Sequence, residues 1–400
     1  MMVSSMEEKP RLRADIQMRP WHHDGQQGLL LQDPLRENGA LFLSDGALLV
    51  LQHLDGNKTI RDIQVALSRQ LGQIVLSADI EQFIRVLSEN LFLEDQRFRE
   101  FLNQQVRQYR EMPCRPSLLA GNGYPEQSEA LRRYLDDLFR AAPQEQNTKT
   151  SVQPRGVVAP HIDLERGKTT YAHIYGLLRK VPPADLYLVL GVNHHFYTDN
   201  PFIFTSKAYH TPLGEIPVDA DALAWFQEQL DWDIFEGELA HLREHSVEFP
   251  ALLLRYIYPE QPFRMVAVLS NFVFLDDPRI DRFVEALRSF LRSTKQRVVL
   301  LASVDFSHVG PMFGGKREVT EGDAHEIRRR DLKTLELLAG GQAEAFYWDV
   351  MGDGNARHID ALGACYVLLR ALGPVEGKLV HYGQAYHPQN TVTFAGLILT

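Results

Sequence analysis

Short apolar runs separated by turn-forming residues dominate the first part of the chain. Three runs have the length of strands, at residues 29–31, 41–43 and 91–93. Between the second and the third, helical spacing recurs in three segments: residues 48–54, a helix that Thr59 can cap and a helix that Ser77 or Asp79 can cap. This order of elements predicts a small winged-helix α+β domain over residues 1–96.

A charged amphipathic segment at residues 97–112 suits a helical linker, and Pro113 ends it. Over residues 113–400, strand-like runs then alternate with helical patterns. The runs lie at residues 156–159, 186–190, 298–302, 380–384 and 391–400. The helical patterns cover a segment that ends near residue 140 and residues 169–180, 220–230, 278–291, 323–338 and 360–372. This alternation predicts an α/β domain with a mostly parallel sheet covered by helices on both faces.

Histidines follow three of these predicted strands. His161 comes after the first strand, His194 and His195 after the second, and His308 after the third. Ligands of open α/β sheets bind outside the carboxyl ends of the strands. We therefore expect these imidazoles to share a metal site or an acid/base site, with a hydrogen-bonded polar cluster as the alternative.

Carboxylates accompany the histidines. Glu244 and Glu248 flank His245, and Asp305 precedes His308. A metal-bound histidine commonly donates its second ring N–H to a carboxylate, so acids at these positions are the partners that a metal site needs. The residues that we expect to line the pocket or to support it are Asn193, His195, Glu244, Asp305 and Tyr382.

Charge argues against nucleic acid and anionic lipid as partners. The formal net charge is −10 and the pI is about 5.8, so no global basic field attracts phosphate groups. Residues 1–110 hold 13 Lys and Arg against 15 Asp and Glu, and the predicted helix at residues 79–90 has Arg85 as its one basic side chain. A DNA-binding winged helix is the alternative for this domain, and the scarcity of basic side chains counts against it.

Cysteine usage and the distribution of apolar residues bear on location. Cys114 and Cys365 lie far apart and form no CxxC pair. Residues 1–13 contain no apolar core of a signal peptide, and no apolar run approaches the roughly 20 residues of a membrane helix. We expect a cytoplasmic protein without a disulfide framework.

Six motifs follow one another through the second domain. They are AGNGYP at residues 120–125, PH at 160–161, GVNHH at 191–195, YHTPL at 209–213, EHSVE at 244–248 and SVDFSHVG at 303–310. Together they resemble the successive signature blocks of the Memo family, whose bacterial members are called AmmeMemoRadiSam system protein B. The resemblance covers residues 113–400.

This resemblance implies a fold like that of the LigB-type class III extradiol dioxygenases, which hold non-haem Fe(II) with two histidines and one carboxylate. By position, His161 and His194 become the two histidine ligands. His308 takes the place of the acid/base histidine of the dioxygenases, and His245 belongs to a further block of the pocket. Both are therefore catalytic candidates.

The third ligand position departs from the Memo pattern. Memo proteins commonly have a cysteine there, within an Ile-Cys-Gly sequence, whereas this chain has Asp360. Two imidazoles and a carboxylate form the facial triad of Fe(II) oxygenases, so Fe(II) is the expected metal, with copper or zinc as the alternatives. Asp360 is equally suited to be the N-cap of the helix predicted at residues 360–372.

The first domain resembles the PqqD-like family. The motifs are LDG at residues 54–56, TI at 59–60 and LSENLF at 87–92, with a helix between the last two. Members of that family commonly hold peptides by adding a strand to the sheet of a winged helix. A domain that only packs against its neighbour is the alternative.

Two functions follow from these resemblances. The first is an enzyme, a dioxygenase-like oxidoreductase with a small-molecule or peptide substrate. The second is a binding or adaptor protein that recruits a peptide or a radical SAM partner through its first domain. The family name also records an association with a radical SAM protein and an AMMECR-type protein, which are the expected partners.

Overall fold

The computed structural model describes residues 8–23, 26–36, 39–140, 153–194, 198–271 and 274–400. The described chain divides into two compact units, residues 8–112 and the described residues from 113 onward. Each unit has its own apolar core and is described by itself. In the described ranges, no helix is both long enough and apolar enough to cross a membrane.

The first unit begins with a three-stranded antiparallel sheet. Its strands are β1 Gln17–His23, β2 Gln26–Gln32 and β3 Ala40–Ser44, with β2 in the middle. The strands predicted at residues 29–31 and 41–43 are the cores of β2 and β3, whereas β1 was not predicted. The return strand expected at residues 91–93 is wrong. The backbone turns through a left-handed conformation at Leu91, with φ of 61°, and Leu93 forms only an isolated bridge with Leu12.

Four helices complete the described part of the first unit: α1 Asp45–Leu51, α2 Ile60–Leu71, α3 Ser77–Glu89 and α4 Gln96–Glu111. Thr59 caps α2 as predicted, and Asp62 completes a reciprocal capping box with it. The cap predicted for α3 is wrong. The N-cap residue is Leu76, and its side chain makes no capping hydrogen bond. The buried faces of α2 and α3 meet in a core that contains Ile63 and Leu87.

The second unit alternates strands and helices, which confirms the predicted mixed α/β class. Its strands are β4 Cys114–Arg115, β5 Gly156–Ala159, β6 Leu186–Val192, β7 Phe202–Phe204, β8 Ala208–Thr211, β9 Gly214–Ile216, β10 Arg264–Ser270, β11 Val298–Ser303, β12 His308–Val309, β13 Gly377–Ala385 and β14 Thr391–Leu399. Its helices are α5 Ser128–Arg140, α6 Leu164–Leu178, α7 Ala220–Gln229, α8 Ala240–Arg243, α9 Glu248–Ile257, α10 Pro278–Ser293, α11 Glu321–Ala339, α12 Ala343–Met351 and α13 Leu362–Leu372.

The main sheet of this unit has the strand order β12-β14-β5-β11-β6-β10-β7, and β13 pairs with β14. The four strands β5, β11, β6 and β10 are parallel neighbours. The flanking strands β7, β12, β13 and β14 pair in antiparallel fashion. The described sheet is therefore mixed, with a parallel centre. Strands β4, β8 and β9 form a separate small sheet.

Both faces of the central strands are buried. In β6, Leu188 and Leu190 belong to the large apolar cluster that also contains residues of α7, α10, α12 and α13. The alternating residues Tyr187 and Val189 are equally buried but point away from that cluster, and Tyr187 packs against Phe263. Strands buried on both faces read as continuous apolar runs, which explains the sequence pattern of β6.

The parallel centre of the sheet decides where polar side chains gather. Strands β5, β11 and β6 are neighbours and run in the same direction, so their carboxyl ends lie at one edge. His161 follows β5, His194 follows β6, and Asp305 follows β11. The fold thus brings together at one edge residues that are far apart in the sequence.

Candidate metal centre

Three imidazoles form a compact cluster at this edge. The ring centroids of His161 and His194 are 5.0 Å apart, and the ring of His245 lies 5.2 Å from the first and 5.0 Å from the second. One nitrogen from each ring lies within 4.8 Å of the others. His161 is buried, whereas the side chains of His194 and His245 are 26% and 31% exposed.

The carboxylate of Asp360 faces the same point. Its Oδ2 atom lies 3.2 Å from Nε2 of His161, 3.7 Å from Nε2 of His194 and 4.0 Å from Nε2 of His308. Its Oδ1 atom accepts a hydrogen bond of 2.8 Å from the backbone N–H of Asp305. Asp360 Oδ2 itself is buried and has no hydrogen-bond partner among the described residues.

The alternative role of Asp360 as a helix cap is wrong. Helix α13 begins at Leu362, its N-cap residue is Ala361, and no side chain caps it. Asp360 lies one residue too early, and its Oδ1 atom is engaged by Asp305 instead. The carboxylate is therefore directed to the histidine cluster and not to the end of the helix.

Hydrogen bonds fix the tautomers of the histidines. Nδ1 of His161 lies 2.9 Å from the carbonyl oxygen of Ser303, and Nδ1 of His308 lies 3.1 Å from the carbonyl oxygens of Phe306 and His358. A carbonyl oxygen only accepts, so each Nδ1 carries a proton. In the neutral imidazole the lone pair is then on Nε2, which faces the orphaned oxygen of Asp360.

Glu244 holds the other two imidazoles in the same way. Its Oε1 atom lies 3.0 Å from Nδ1 of His194 and 3.2 Å from Nδ1 of His245. The same carboxylate accepts from the backbone N–H groups of His194, His245 and Ser246, at 2.9, 2.8 and 2.9 Å. Carboxylate–histidine pairs of this kind orient metal ligands in proteins and make them better donors.

The electrostatics of the cluster favour a cation at its centre. Burial opposes the charge of His161, but the carboxylates of Asp360 and Asp305 raise the pKa of that imidazole to about 9. Burial likewise opposes charge on Asp360 and Glu244, yet the neighbouring imidazoles hold the pKa of both carboxyls well below the ordinary range. Positive charge is thus stabilised between these groups, and a metal ion would supply it without protonating the ligands.

Comparison with known proteins identifies the family. A sequence model described as Memo-like protein matches residues 115–397, which is more than half of the chain. This chain belongs to the Memo-like family. A relative from Aquifex aeolicus, a MEMO1 family protein, is 28% identical over 375 residues, covering 92% of this chain and 95% of its own. The MEMO1 family protein TTHA0924 from Thermus thermophilus is 30% identical and covers 81% of this chain and 93% of its own.

One solved structure, that of the uncharacterized protein JW3007 from Escherichia coli K12, is similar over 62% of this chain and 100% of its own. The identity is 14% and the TM-score is 0.34, which is too low to support an argument about fold or function. The match to the Memo-like family rests on the sequence comparisons.

The structure places the remaining candidates of the Memo-like unit at different distances from the cluster. Asp305 lies beside it: Oδ1 accepts from the backbone N–H of His161, and Oδ2 lies 3.9 Å from Nε2 of that residue. Burial raises the pKa of Asp305. The side chain of Asn193 donates to Asn271 at 2.7 Å. His195 lies outside the described residues.

Tyr382 does not contact the histidine cluster in the described hydrogen bonds but takes part in a buried network behind the His308 loop. Its hydroxyl donates to Asp331 over 3.0 Å. Asp331 also accepts from Ser307, Thr393 and Arg357. Ser307 precedes His308, so this network supports the loop that carries the acid/base candidate, and Tyr382 contributes to it through Asp331.

A second buried network supports the segment that carries Glu244 and His245. The guanidinium of Arg115 donates to the carbonyl oxygens of His241 and Glu244, at 2.9 and 2.6 Å, and pairs with the carboxylate of Glu248. Glu248 also accepts from the hydroxyl of Tyr124 over 2.5 Å. The AGNGYP and EHSVE motifs therefore meet in space, a contact that their spacing in the sequence does not show.

His241, whose carbonyl oxygen accepts from Arg115 in this second network, has a neutral imidazole. Its Nε2–H donates to the carbonyl of Ile203 over 2.9 Å, and its Nδ1 accepts from the hydroxyl of Tyr209 over 2.9 Å. Burial, with a contribution from the nearby Arg115, lowers the pKa of His241 to about 4, although Ile203 and Glu244 act in the opposite direction. This histidine is a structural part of the fold.

Proposed function

We propose that this protein is a metal protein of the Memo-like family in which His161, His194 and Asp360 hold Fe(II). The observation that carries the proposal is the orphaned Oδ2 atom of Asp360, which faces the Nε2 atoms of three imidazoles. When the imidazoles are neutral, their Nε2 lone pairs and Oδ2 of Asp360 are acceptors that repel one another; in the metal-free protein, protonation of His161, whose pKa the carboxylates raise to about 9, relieves this repulsion. A bound cation would satisfy all of them, so the residues present fit a metal ion.

The donor set favours Fe(II) over Cu(I), and zinc is the alternative that metal analysis distinguishes. Two imidazoles and a carboxylate are the ligands of non-haem Fe(II) oxygenases, whereas a thiolate in the place of Asp360 would favour softer metals. When bound, Fe(II) would supply open positions at which a substrate oxygen and O₂ bind together. His245 lies close enough to be an additional ligand, and the variants below separate the two sets.

His308 has the position and tautomer of an acid/base residue. Its Nε2 atom lies 4.0 Å from Asp360, and its Nδ1–H is held by two carbonyl oxygens. The Nε2 lone pair is thereby free to take a proton from a hydroxyl of a bound substrate. His245 is the second candidate for this role, because Glu244 holds its Nδ1 atom in the same way.

An oxidoreductase related to the class III extradiol dioxygenases is the activity that we propose. The support is the ligand set together with the adjacent acid/base imidazole. We propose further that the chain is an AmmeMemoRadiSam system protein B and acts on a small molecule or peptide with radical SAM and AMMECR-type partners. Both cysteines are free, in keeping with a cytoplasmic location.

For the first unit we propose a PqqD-like winged-helix module that delivers a peptide or a partner. The alignment with the Aquifex aeolicus relative covers 92% of this chain, more than the second unit alone, so it extends into the first unit. The other function, a non-catalytic adaptor, predicts that a pull-down of partner proteins needs residues 1–110 and tolerates His194→Ala.

Anaerobic titration with Fe(II) tests the proposal, together with metal analysis of protein purified without added metal. We expect one Fe(II) per chain, and roughly 100-fold weaker binding after His161→Ala or Asp360→Ala. His245→Ala should reduce affinity far less if His245 is not a ligand. Failure of the native protein to bind a divalent metal, or unchanged affinity of the His161 variant, would overturn the proposal.

A further inference from the structure

The loop before α13 has an unusual backbone at His358. Its φ is +48°, in the left-handed region that residues other than glycine rarely adopt, and Gly354 and Asn355 nearby have φ of 70° and 55°. A residue other than glycine keeps a left-handed conformation where contacts with the surrounding structure offset its cost, and such residues occur often at functional sites. His358 is exposed, so burial of its side chain does not explain this conformation.

His358 and His308 form a reciprocal pair. The Nδ1 atom of His358 lies 3.2 Å from the carbonyl oxygen of His308, and the Nδ1 atom of His308 lies 3.1 Å from the carbonyl oxygen of His358. Each imidazole therefore donates to the backbone of the other residue. The backbone N–H of His308 also donates to the carbonyl of Arg357 over 2.7 Å.

These bonds join the two loops that carry His308 and Asp360. A further bond joins them at the cluster itself, where the N–H of Asp305 donates to Asp360. Within the second loop, the side chain of Asn355 accepts from the N–H of Ile359 and donates to its carbonyl, at 2.8 and 2.9 Å. The loop is thus held internally at residues 355–359, and His358 is its side-chain connection to His308.

We propose that His358 is a positioning residue that sets the distance between His308 and Asp360. The inference rests on the proposed function in one respect: the distance matters because it places an acid/base imidazole beside a metal ligand. Without the imidazole of His358, the left-handed backbone loses the bond that compensates for it. The loop then relaxes, and its carbonyl no longer holds the Nδ1–H of His308.

The test uses the full-length protein and three variants. His358→Ala removes the donor and keeps an unfavourable backbone conformation. His358→Asn keeps a donor at the same distance along the side chain, and asparagine tolerates the left-handed region. His325→Ala is the control, because His325 is an exposed histidine on α11.

The first measurement is made on metal-free protein. Amide hydrogen exchange at Asp305 and His308 reports the two inter-loop bonds directly. We expect exchange at both amides to accelerate roughly tenfold in His358→Ala and to stay near the native rate in His358→Asn and His325→Ala. Native exchange rates in His358→Ala would overturn the proposal. If His358→Ala does not fold, His358→Asn decides alone: it must fold with native exchange rates at both amides.

The second measurement is Fe(II) affinity, which a purely structural role in a folded variant would not change. His358 holds the loop that carries the proposed ligand Asp360 but does not itself bond to a ligand, so we expect a loss of up to roughly tenfold in His358→Ala, the lower end of the range for direct partners of ligands, with recovery in His358→Asn. Unchanged affinity beside accelerated exchange would contradict the positioning role. If the native protein binds no metal, the proposed function fails while the exchange data still decide this inference.

Discussion

Glu244→Gln is the substitution that tests most sharply how the histidine cluster is organised. Glu244 is 1% exposed, and its carboxylate accepts from Nδ1 of His194 and from three backbone N–H groups, while Nδ1 of His245 lies 3.2 Å from Oε1. Glutamine has nearly the same shape but carries no charge and replaces one acceptor by a donor. The substitution therefore perturbs the chemistry and not the packing.

The cost can be worked out from these contacts. If the amide nitrogen takes the place of Oε2, the backbone N–H of His194 loses its acceptor at 2.9 Å, whereas Nδ1–H of His194 keeps Oε1 at 3.0 Å. If it takes the place of Oε1, the N–H groups of His245 and Ser246 lose their acceptor instead. Each buried donor left without an acceptor costs about 1–3 kcal/mol, and the first orientation loses one donor, so we expect a loss of about 2 kcal/mol in unfolding free energy.

Denaturant unfolding of metal-free protein and Fe(II) titration are the two assays. The matched control is Glu238→Gln, another buried glutamate of the same unit, whose Oε1 accepts from Thr205 and Ser206. That oxygen is retained in glutamine, so the control should lose about 1 kcal/mol or less and keep native metal affinity. Glu244→Gln should also bind Fe(II) roughly 10–100-fold more weakly.

The reasoning would be refuted by a Glu244→Gln protein whose unfolding free energy lies within about 0.5 kcal/mol of the native value. It would also be refuted if Glu238→Gln lost as much metal affinity as Glu244→Gln. In either case Glu244 would not be the group that holds the two imidazoles.

Three further predictions concern the second unit. Unfolding free energy should fall as the pH drops from about 6.5 to 4, because unfolded His241 binds a proton in this window while the folded residue, with a pKa of about 4, does not. In denaturation curves across that window, His241→Gln should remove up to about 3 kcal/mol of this pH dependence, and an unchanged slope would contradict the assignment. Arg115→Leu leaves Glu248 buried without its cation and should cost about 3–5 kcal/mol by denaturation, whereas a cost below about 1 kcal/mol would mean that the ion pair is dispensable. Gly396→Ala places a methyl group 2.2 Å from Ile174 and should destabilise the protein by about 1–3 kcal/mol. Gly176→Ala, in helix α6, meets no atom within 4 Å and should stabilise the protein slightly. A higher melting temperature for Gly396→Ala than for Gly176→Ala would contradict this packing.

The sequence predicts those parts of the site that depend on local pattern. Apolar runs of strand length predict β5, β6 and β11, and the parallel order of these strands brings His161, His194 and Asp305 to one edge. The helix cap at Thr59 is equally local and was predicted from its residue type, although the reciprocal bond from Asp62 was not. In each case neighbouring residues in the chain contain the information.

The contributions of Glu244 and His358 depend on distant contacts. Nothing in the EHSVE motif shows that one carboxylate would hold both His194 and His245, because Glu244 and His194 are 50 positions apart in the chain and the sequence does not fix their distance in space. The left-handed backbone of His358 has only a weak signal in its residue type, because histidine adopts this region more often than most residues but still rarely. The adjacent Gly354-Asn355 pair, both residues that tolerate this region, is the sign that a sharp turn lies nearby.

Asp360 shows why the neighbouring sequence alone does not decide between two roles, metal ligand and helix cap. An aspartate before a helix is a common N-cap, and the spacing to α13 permits that interpretation. The decision comes from the N–H of Asp305, 55 residues away in the chain, which binds Oδ1 and turns Oδ2 to the imidazoles. A contact of this kind follows from the packing of β11 against the loop and not from the pattern around Asp360.

The most direct test of the proposed metal centre is an anomalous difference map from crystals loaded anaerobically with Fe(II). We predict one peak, with Nε2 of His161, Nε2 of His194 and a carboxylate oxygen of Asp360 each about 2 Å from it, the distance expected of nitrogen and oxygen ligands. Absence of a peak between these three side chains, or a peak bound by other residues, would contradict the account.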